Sequence, residues 1–226
     1  MMRRTVQVSA FAAIAVLLAT APLAAQNQAG QGGHHHHPRF DDPKKWSERF
    51  DNPERDKWQM PDRIVSSLAL RKADSVADIG AGTGYMAVRL ARAVPEGLVF
   101  AVDIEPNMVK HLAGRAKSEA LGNLRAVKGS ATSPNLPEPV DVAFLLNTYH
   151  HIDNRTGYFK RLRNSLKPGG RVAIVDYRPD APAGPPKHMR LPAAQITAEM
   201  AAAGYKPAAS FDFLPRQSFL IFEVVQ

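Results

Sequence analysis

Two aspartates and three glycines are the residues whose types and spacing point most directly to chemistry. Asp78 comes just before a loop with glycine at alternate positions, Gly80, Gly82 and Gly84, and Asp103 ends the next apolar segment along the chain. Glycine tolerates unusual backbone angles and lets the chain approach a ligand closely. A carboxylate at the end of a strand can accept hydrogen bonds from both hydroxyls of a ribose. The pattern therefore predicts a site for an adenosine-containing cofactor.

The spacing of the glycines distinguishes between two classes of such cofactors. Dinucleotide sites have the pattern G-x-G-x-x-G, whereas this loop has G-x-G-x-G, and Tyr85 stands where the third dinucleotide glycine belongs. A carboxylate at Asp78 would also repel a pyrophosphate, but it suits the ammonium group of a methionine moiety. We therefore expect an adenosyl cofactor with a methionine part, and a nicotinamide-dependent oxidoreductase is the alternative enzyme.

The elements that must position these residues alternate between strand and helix. Short apolar segments typical of buried strands are separated by stretches with helical periodicity. The predicted strands cover residues 75–79, 98–102, 124–127, 140–146, 171–176, 208–213 and 218–225. The predicted helices cover residues 61–70, 85–93, 106–121, 156–166 and 193–203. This order predicts an α/β fold with a doubly wound, mostly parallel sheet. A short connection separates the last two strands, so they are expected to pair antiparallel.

Four motifs give the chain a likeness to a known family. They cover residues 76–84, 102–108, 145–152 and 166–172, in that order along the chain. Together they resemble the class I S-adenosylmethionine-dependent methyltransferases of types 11, 12 and 25, in the branch that methylates small molecules and quinones. The resemblance covers residues 62–226 and implies a Rossmann-like sheet of seven strands with an antiparallel last strand. It also implies S-adenosyl-L-methionine as the cofactor and methyl transfer to a small-molecule or lipid-like acceptor.

The resemblance assigns parts of the cofactor to particular residues of this sequence. Asp78 and the loop glycines hold the methionine part, Asp103 holds the ribose, and Asn147 lies near the sulfonium. One position departs from the family pattern, because Ser130 stands in a stretch that usually offers an aspartate to the adenine amine. The complete predicted cofactor site consists of Asp78, Gly80, Gly82, Gly84, Tyr85, Asp103, Ile104, Ser130 and Asn147.

Two adjacent histidines are the candidates for acid–base chemistry. His150 and His151 follow the fourth predicted strand, at the rim of the expected site. Histidine titrates near neutral pH, so either residue can take a proton from an acceptor as the catalytic base. The alternative is that one of them forms a local hydrogen bond while the other only lines the pocket.

The N-terminal residues have the organisation of an export signal. Residues 1–25 contain two arginines, then a short apolar run, then small residues, which is the order of a secretory signal peptide. The apolar run is too short for a typical membrane span, so no stable span is expected after cleavage. We predict a periplasmic or secreted protein, and the alternative is a membrane anchor formed by an uncleaved N-terminal segment.

Two further segments precede the methyltransferase-like domain at residues 62–226. Residues 26–38 form a Gly/Gln/His-rich linker, and residues 39–61 contain Trp46, Phe50 and Trp58 among charged residues. The second segment is either an amphipathic helix that packs on the domain or a lid over cofactor and acceptor. A lid would exclude water and fix the geometry of the reacting groups.

The composition excludes several kinds of site and partner, and a non-catalytic binding function stays possible beside the two enzymes. The chain has no cysteine, which excludes disulfides, thiolate metal sites and cysteine nucleophiles. Its net charge is +8, but the basic residues are scattered, so they predict a solvated surface and no nucleic-acid partner. The histidines at 34–37 lie in the linker and fix no coordination geometry, so no metal site is predicted. Export would also suit a non-catalytic module that binds an adenosyl ligand.

Overall fold

The computed structural model describes residues 40–225. The predicted signal peptide and linker lie outside this range. Within it, a single sheet of seven strands is flanked by seven α-helices. The strands are β1 (Ser75–Ile79), β2 (Leu98–Asp103), β3 (Leu124–Lys128), β4 (Val140–Leu146), β5 (Leu166–Tyr177), β6 (Tyr205–Phe211) and β7 (Gln217–Val224). The helices are α1 (Pro43–Phe50), α2 (Asp56–Gln59), α3 (Pro61–Ser67), α4 (Ala87–Ala93), α5 (Pro106–Ser118), α6 (Arg155–Leu162) and α7 (Ala193–Ala202).

The strand order places a crevice beside the first strand. The order is β3-β2-β1-β4-β5-β7-β6. Strands β1 to β5 pair in parallel, and β7 is antiparallel to both of its neighbours. The predicted α/β, Rossmann-like fold with an antiparallel last strand is therefore confirmed. The chain order reverses between β1 and β4, and ligands of such sheets bind at the carboxyl ends of the strands beside that point.

The central strands are buried on both faces. All five residues of β1 are buried, and so are most of β4. Successive side chains of β4 point to opposite faces, so Phe144 packs in the core on one side of the sheet and Leu145 packs in the core on the other. Helices cover both faces, which is why β4 is apolar at every position from Val142 to Leu146 and does not alternate.

Local sequence sets the starts of two helices. Asp42 caps α1 by accepting a hydrogen bond from the Lys45 N–H at 3.2 Å, and Pro43 takes the first helical position. Asn154 caps α6 through the N–H of Gly157 at 2.9 Å. Across residues 40–225, no helix has the length and apolar character needed to cross a membrane.

The predicted element bounds are wrong at several ends. The helix predicted to reach residue 121 stops at Ser118, because Ala120 adopts a left-handed backbone with φ of 54°. The helix predicted to reach residue 166 stops at Leu162, and Leu166 instead begins β5, where it pairs with Val140. Neither end carries a local signal in the sequence strong enough to show where the helix stops.

Candidate functional site

A cavity of about 570 Å³ lies at the carboxyl ends of β1, β2 and β4. Its lining comes from the loops after these strands and from the segment around α1 and α2. This is where a doubly wound sheet is expected to bind a ligand, and the volume is typical of a small-molecule pocket.

The loop after β1 is held against β2 by its backbone. The N–H groups of Gly80 and Ala81 both donate to the carbonyl of Val102, at 2.8 and 2.9 Å. Gly80 has a φ of 76°, and a Cβ there would lie 2.3 Å from the Thr148 hydroxyl oxygen. The loop therefore needs glycine at this position both for its backbone angle and for its approach to the chain after β4.

Asp103 completes the same loop with its carboxylate. One oxygen accepts the N–H of Gly82 and the other accepts the N–H of Glu105, both at 2.9 Å. Burial raises the pKa of Asp103, and these backbone donors counteract the effect. The carboxylate is thus fixed in position at the cavity wall, where its remaining acceptor capacity faces the cavity.

Asp78 is buried with an unsatisfied oxygen. The residue is 2% exposed, lines the cavity, and its Oδ2 has no hydrogen-bond partner within residues 40–225. Burial, followed by the nearby charge of Asp103, raises its pKa to about 7. The hydroxyl of Thr83, 1% exposed in the same loop, also has no partner in this part of the chain. Buried polar atoms are rarely left without partners, so this corner of the cavity is shaped for a polar ligand.

Asn147 belongs to a buried chain of amide side chains. Its backbone is left-handed, with φ of 55°, and its Oδ1 accepts the amide of Gln217 at 2.6 Å. Gln217 in turn accepts a hydrogen bond from Gln59 at 2.7 Å, and both glutamines are fully buried. The chain links α2 and β7 to the loop after β4. Asn147 is therefore held at the cavity wall by residues that are distant in sequence.

The remaining residues of the predicted cofactor site differ in their access to the cavity. Tyr85 and Ile104 both line it, and Ile104 is 56% exposed, so an apolar ligand ring can cover it. Ser130 also lines it, but its hydroxyl is engaged in its own turn with Ser133, at 3.0 and 3.1 Å. Gly84 does not line the cavity; it lets α5 pack closely, since a Cβ there would lie 2.9 Å from Leu112.

The two histidines have different surroundings. His150 does not line the cavity, and its ring is buried. The ring Nδ1 lies 2.7 Å from one carboxylate oxygen of Asp176, and the backbone N–H of His150 donates to the other oxygen at 3.1 Å. His151 does line the cavity, with its ring edge towards Phe40 at 5.8 Å between ring centres. Of the two predicted bases, His151 lies at the cavity, whereas His150 is held by hydrogen bonds to Asp176. This matches the alternative in which one histidine forms a local hydrogen bond while the other lines the pocket, and a base at His151 stays a prediction.

The N-terminal segment forms one wall of the cavity. Phe40, Phe50 and Trp58 line it, while Trp46 stacks behind on Phe50 at 5.2 Å. Phe50 also lies 3.6 Å from the position of a Cβ on Gly82. The segment thus packs on the domain and lies against the loop after β1. A lid function for this segment stays a prediction.

Sequence reasoning missed three arginines of the cavity wall. Arg49, Arg55 and Arg216 come from α1, from the turn before α2 and from the connection between β6 and β7. Arg55 lies over the ring of Tyr85 at 3.9 Å and donates to the carbonyl of Phe50 at 2.9 Å. No motif links these arginines in sequence, and their only sequence signal is that two of them lie in the aromatic N-terminal segment.

The residues present suit S-adenosylmethionine. Asp78 offers an unsatisfied carboxylate oxygen to an ammonium group, and the positive charge of Arg55 acts on that same carboxylate. Asp103 offers a second carboxylate 25 residues later at the end of the neighbouring strand. A pyrophosphate would meet both negative charges, so a dinucleotide fits less well.

The chain is similar in sequence to known methyltransferases. Residues 76–170 match the family model described as a methyltransferase domain. The chain is 30% identical over 135 residues to the 27-O-demethylrifamycin SV methyltransferase of Amycolatopsis mediterranei, covering 58% of this chain and 49% of that protein. It is 27% identical over 125 residues to the demethylmenaquinone methyltransferase of Geobacillus kaustophilus, covering 53% of this chain and 51% of that protein. The chain thus spans about half the length of these relatives.

A solved structure shares the fold. A SAM-dependent methyltransferase from Aquifex aeolicus aligns with a TM-score of 0.75 and 23% identity, covering 81% of this chain and 99% of that one. This likeness shows a shared Rossmann-like fold, and the family match shows similarity to a methyltransferase domain over residues 76–170.

The unsatisfied carboxylate gives a prediction for stability. The pKa of Asp78 is raised from 3.8 to about 7, so ionisation of Asp78 destabilises the ligand-free fold. This destabilisation is absent below pH 4, grows between pH 4 and 7, and is complete above pH 7. Asp78→Asn removes the charge and should raise the free energy of unfolding at pH 8 by at least ~1 kcal/mol. The gain should shrink at pH 5. Urea unfolding of both proteins at pH 5 and pH 8 measures this gain. An equal loss of stability in Asp78→Asn at both pH values would contradict the conclusion that the charge of Asp78 destabilises the ligand-free fold.

Proposed function

We propose that the protein is an S-adenosylmethionine-dependent methyltransferase that acts on a small-molecule acceptor. The observation that carries this proposal is the pair of carboxylates at the ends of β1 and β2, of which Asp78 is buried and unsatisfied. A buried charge without a partner is costly to the fold and is typical of a functional site. The match of residues 76–170 to a methyltransferase domain supports the same conclusion.

We assign the cofactor's polar groups to residues that line the cavity around the loop after β1. Asp78 binds the ammonium and Arg55 the carboxylate of the methionine part, since Arg55 is the cation that acts on Asp78. Asp103 accepts hydrogen bonds from the ribose hydroxyls. The side chain of Ile104 lies exposed beside it and covers one face of the adenine.

The protein's own residues then position and deprotonate the acceptor. The cofactor supplies an electrophilic methyl group when it is bound. Phe50 and Trp58 exclude water from the cavity, which strengthens the interactions inside it. His151 faces the same cavity and takes the proton that the acceptor's nucleophilic atom loses. His150, fixed by Asp176, positions the backbone that carries His151.

Titration calorimetry tests the cofactor assignment. The full chain should bind S-adenosylmethionine and S-adenosylhomocysteine and should not bind NAD. Asp103→Asn keeps the size of the side chain but replaces one of the two oxygens that accept the N–H groups of Gly82 and Glu105 with an amide donor. The ribose contact is also weakened, so affinity for S-adenosylhomocysteine should fall at least ~10-fold. Asp212→Asn, an exposed aspartate outside the cavity, is the matched control and should change nothing. Binding of NAD in place of both adenosyl ligands would instead favour an oxidoreductase.

Turnover separates the two histidines. A panel of phenols, amines and quinols with radiolabelled S-adenosylmethionine identifies an accepted substrate by label transfer. With that substrate, His151→Gln should lower kcat by roughly 10²-fold or more, as expected for loss of a general base. Its affinity for S-adenosylhomocysteine should stay unchanged. If His151→Gln turns over at the normal rate, the histidine only lines the cavity; if no chemical class accepts label although the cofactor binds, a non-catalytic module is favoured.

A further inference from the structure

Two cations of the cavity wall have no acidic partner. Within residues 40–225, neither Arg49 nor Arg216 forms an ion pair, and the guanidinium of Arg216 instead lies 4.3 Å from the ring centre of Trp58. Three partly buried arginines outside the cavity are paired with carboxylates: Arg89 with Asp56 at 2.8 Å, Arg115 with Asp51 at 2.9 Å and Arg155 with Glu199 at 2.6 Å. Arg49 and Arg216 differ from these three because they line the cavity without an acidic partner in this part of the chain.

The two arginines border an aromatic wall. Trp58 and Tyr177 both line the cavity, with 6.3 Å between their ring centres. The charges of Arg49, Arg55 and Arg216 all act on the phenol of Tyr177, where they oppose the rise in pKa that burial causes. The cations of the cavity are thus gathered around one aromatic ring, although they come from three separate parts of the chain.

The cavity wall consequently carries side chains of both charges. The carboxylates of Asp78 and Asp103 lie beside the loop after β1, where the cofactor is assigned. Arg55 is already assigned to the cofactor's own carboxylate. Arg49 and Arg216 line the cavity without an acidic partner within residues 40–225, and Arg216 lies over the ring of Trp58. A guanidinium matches the geometry of a carboxylate or phosphate, and aromatic faces bind flat apolar rings.

We propose that the acceptor is an aromatic molecule with an anionic oxygen group, which Arg49 and Arg216 bind while Trp58 and Tyr177 contact its ring. This assignment rests on the proposed function, because it places the acceptor in the same cavity as the cofactor. A carboxylate and a phosphate share the chemistry that the arginines recognise. Acceptors that are neutral and of the same shape should bind more weakly.

Calorimetric titrations with simple probes test the charge requirement. The full chain, saturated with S-adenosylhomocysteine, is titrated with benzoate, with benzamide as its neutral isostere, and with phenyl phosphate. Benzoate should bind about 10-fold more tightly than benzamide, as expected for a charge-assisted hydrogen bond to arginine. Phenyl phosphate binding more tightly than benzoate would assign the anion to a phosphate, and the reverse would assign it to a carboxylate.

Three arginine variants show whether the cavity is responsible. Arg216→Gln and Arg49→Gln should each weaken benzoate binding by about 5-fold or more and leave benzamide binding unchanged. Arg63→Gln is the matched control, because Arg63 also lies over an aromatic ring, that of Phe213 at 4.2 Å, but does not line the cavity. It should not alter binding of any probe.

The contrary outcomes are distinct from failure of the proposed function. Equal affinity for benzoate and benzamide, unchanged benzoate affinity in both cavity variants, or no binding of any probe to the S-adenosylhomocysteine-bound chain would overturn the anionic acceptor. In each of these cases the chain still binds S-adenosylhomocysteine. Loss of S-adenosylhomocysteine binding by the unaltered chain would overturn the methyltransferase proposal itself.

Discussion

The site depends on a carboxylate that the fold buries without giving both of its oxygens a partner. Asp78 sits in the central strand β1, where both faces of the sheet are covered, so its charge cannot be solvated by the bulk. A ligand with a cationic group would compensate for the lost solvation, because the opposing charge of Arg55 still leaves the pKa of Asp78 at about 7. Gly80 has a related purpose: a Cβ there would meet the side chain of Thr148, so glycine lets the loop pass close to the chain after β4 at the cavity wall. Stability of the ligand-free chain and affinity for the ligand are thus opposed at this position.

The other walls of the cavity are supplied by chain segments that approach from far away in sequence. The amides of Gln59, Gln217 and Asn147 connect the segment before the domain to the last strand and to the loop after β4. Because these amides are buried and Trp58 directly precedes Gln59, the core of the domain holds Trp58 in position. The predicted lid and the proposed acceptor site therefore share the same short segment.

The sequence predicted the parts of the site that lie along single strands and failed where distant segments meet. Strands β1 and β4 were predicted with their observed bounds because both are mostly apolar, and parallel packing then brings Asp78 and Asp103 to one edge of the sheet. The different surroundings of His150 and His151 depend on Asp176, which lies 26 residues further on in another strand. The pairing of Arg216 with Trp58 likewise has no local pattern. The export signal in residues 1–25 remains a prediction from the sequence.

Affinity for S-adenosylhomocysteine as a function of pH tests the central role of Asp78 most directly. The free carboxyl has a pKa of about 7 and must be ionised to bind the ligand's ammonium, so affinity should rise between pH 6 and 7.5 by roughly 5- to 10-fold. The Asp78→Asn chain should bind more weakly and show no such rise. An affinity of the unaltered chain that is constant over this range, or that falls as the pH rises, would contradict the assignment of Asp78 to the ammonium group.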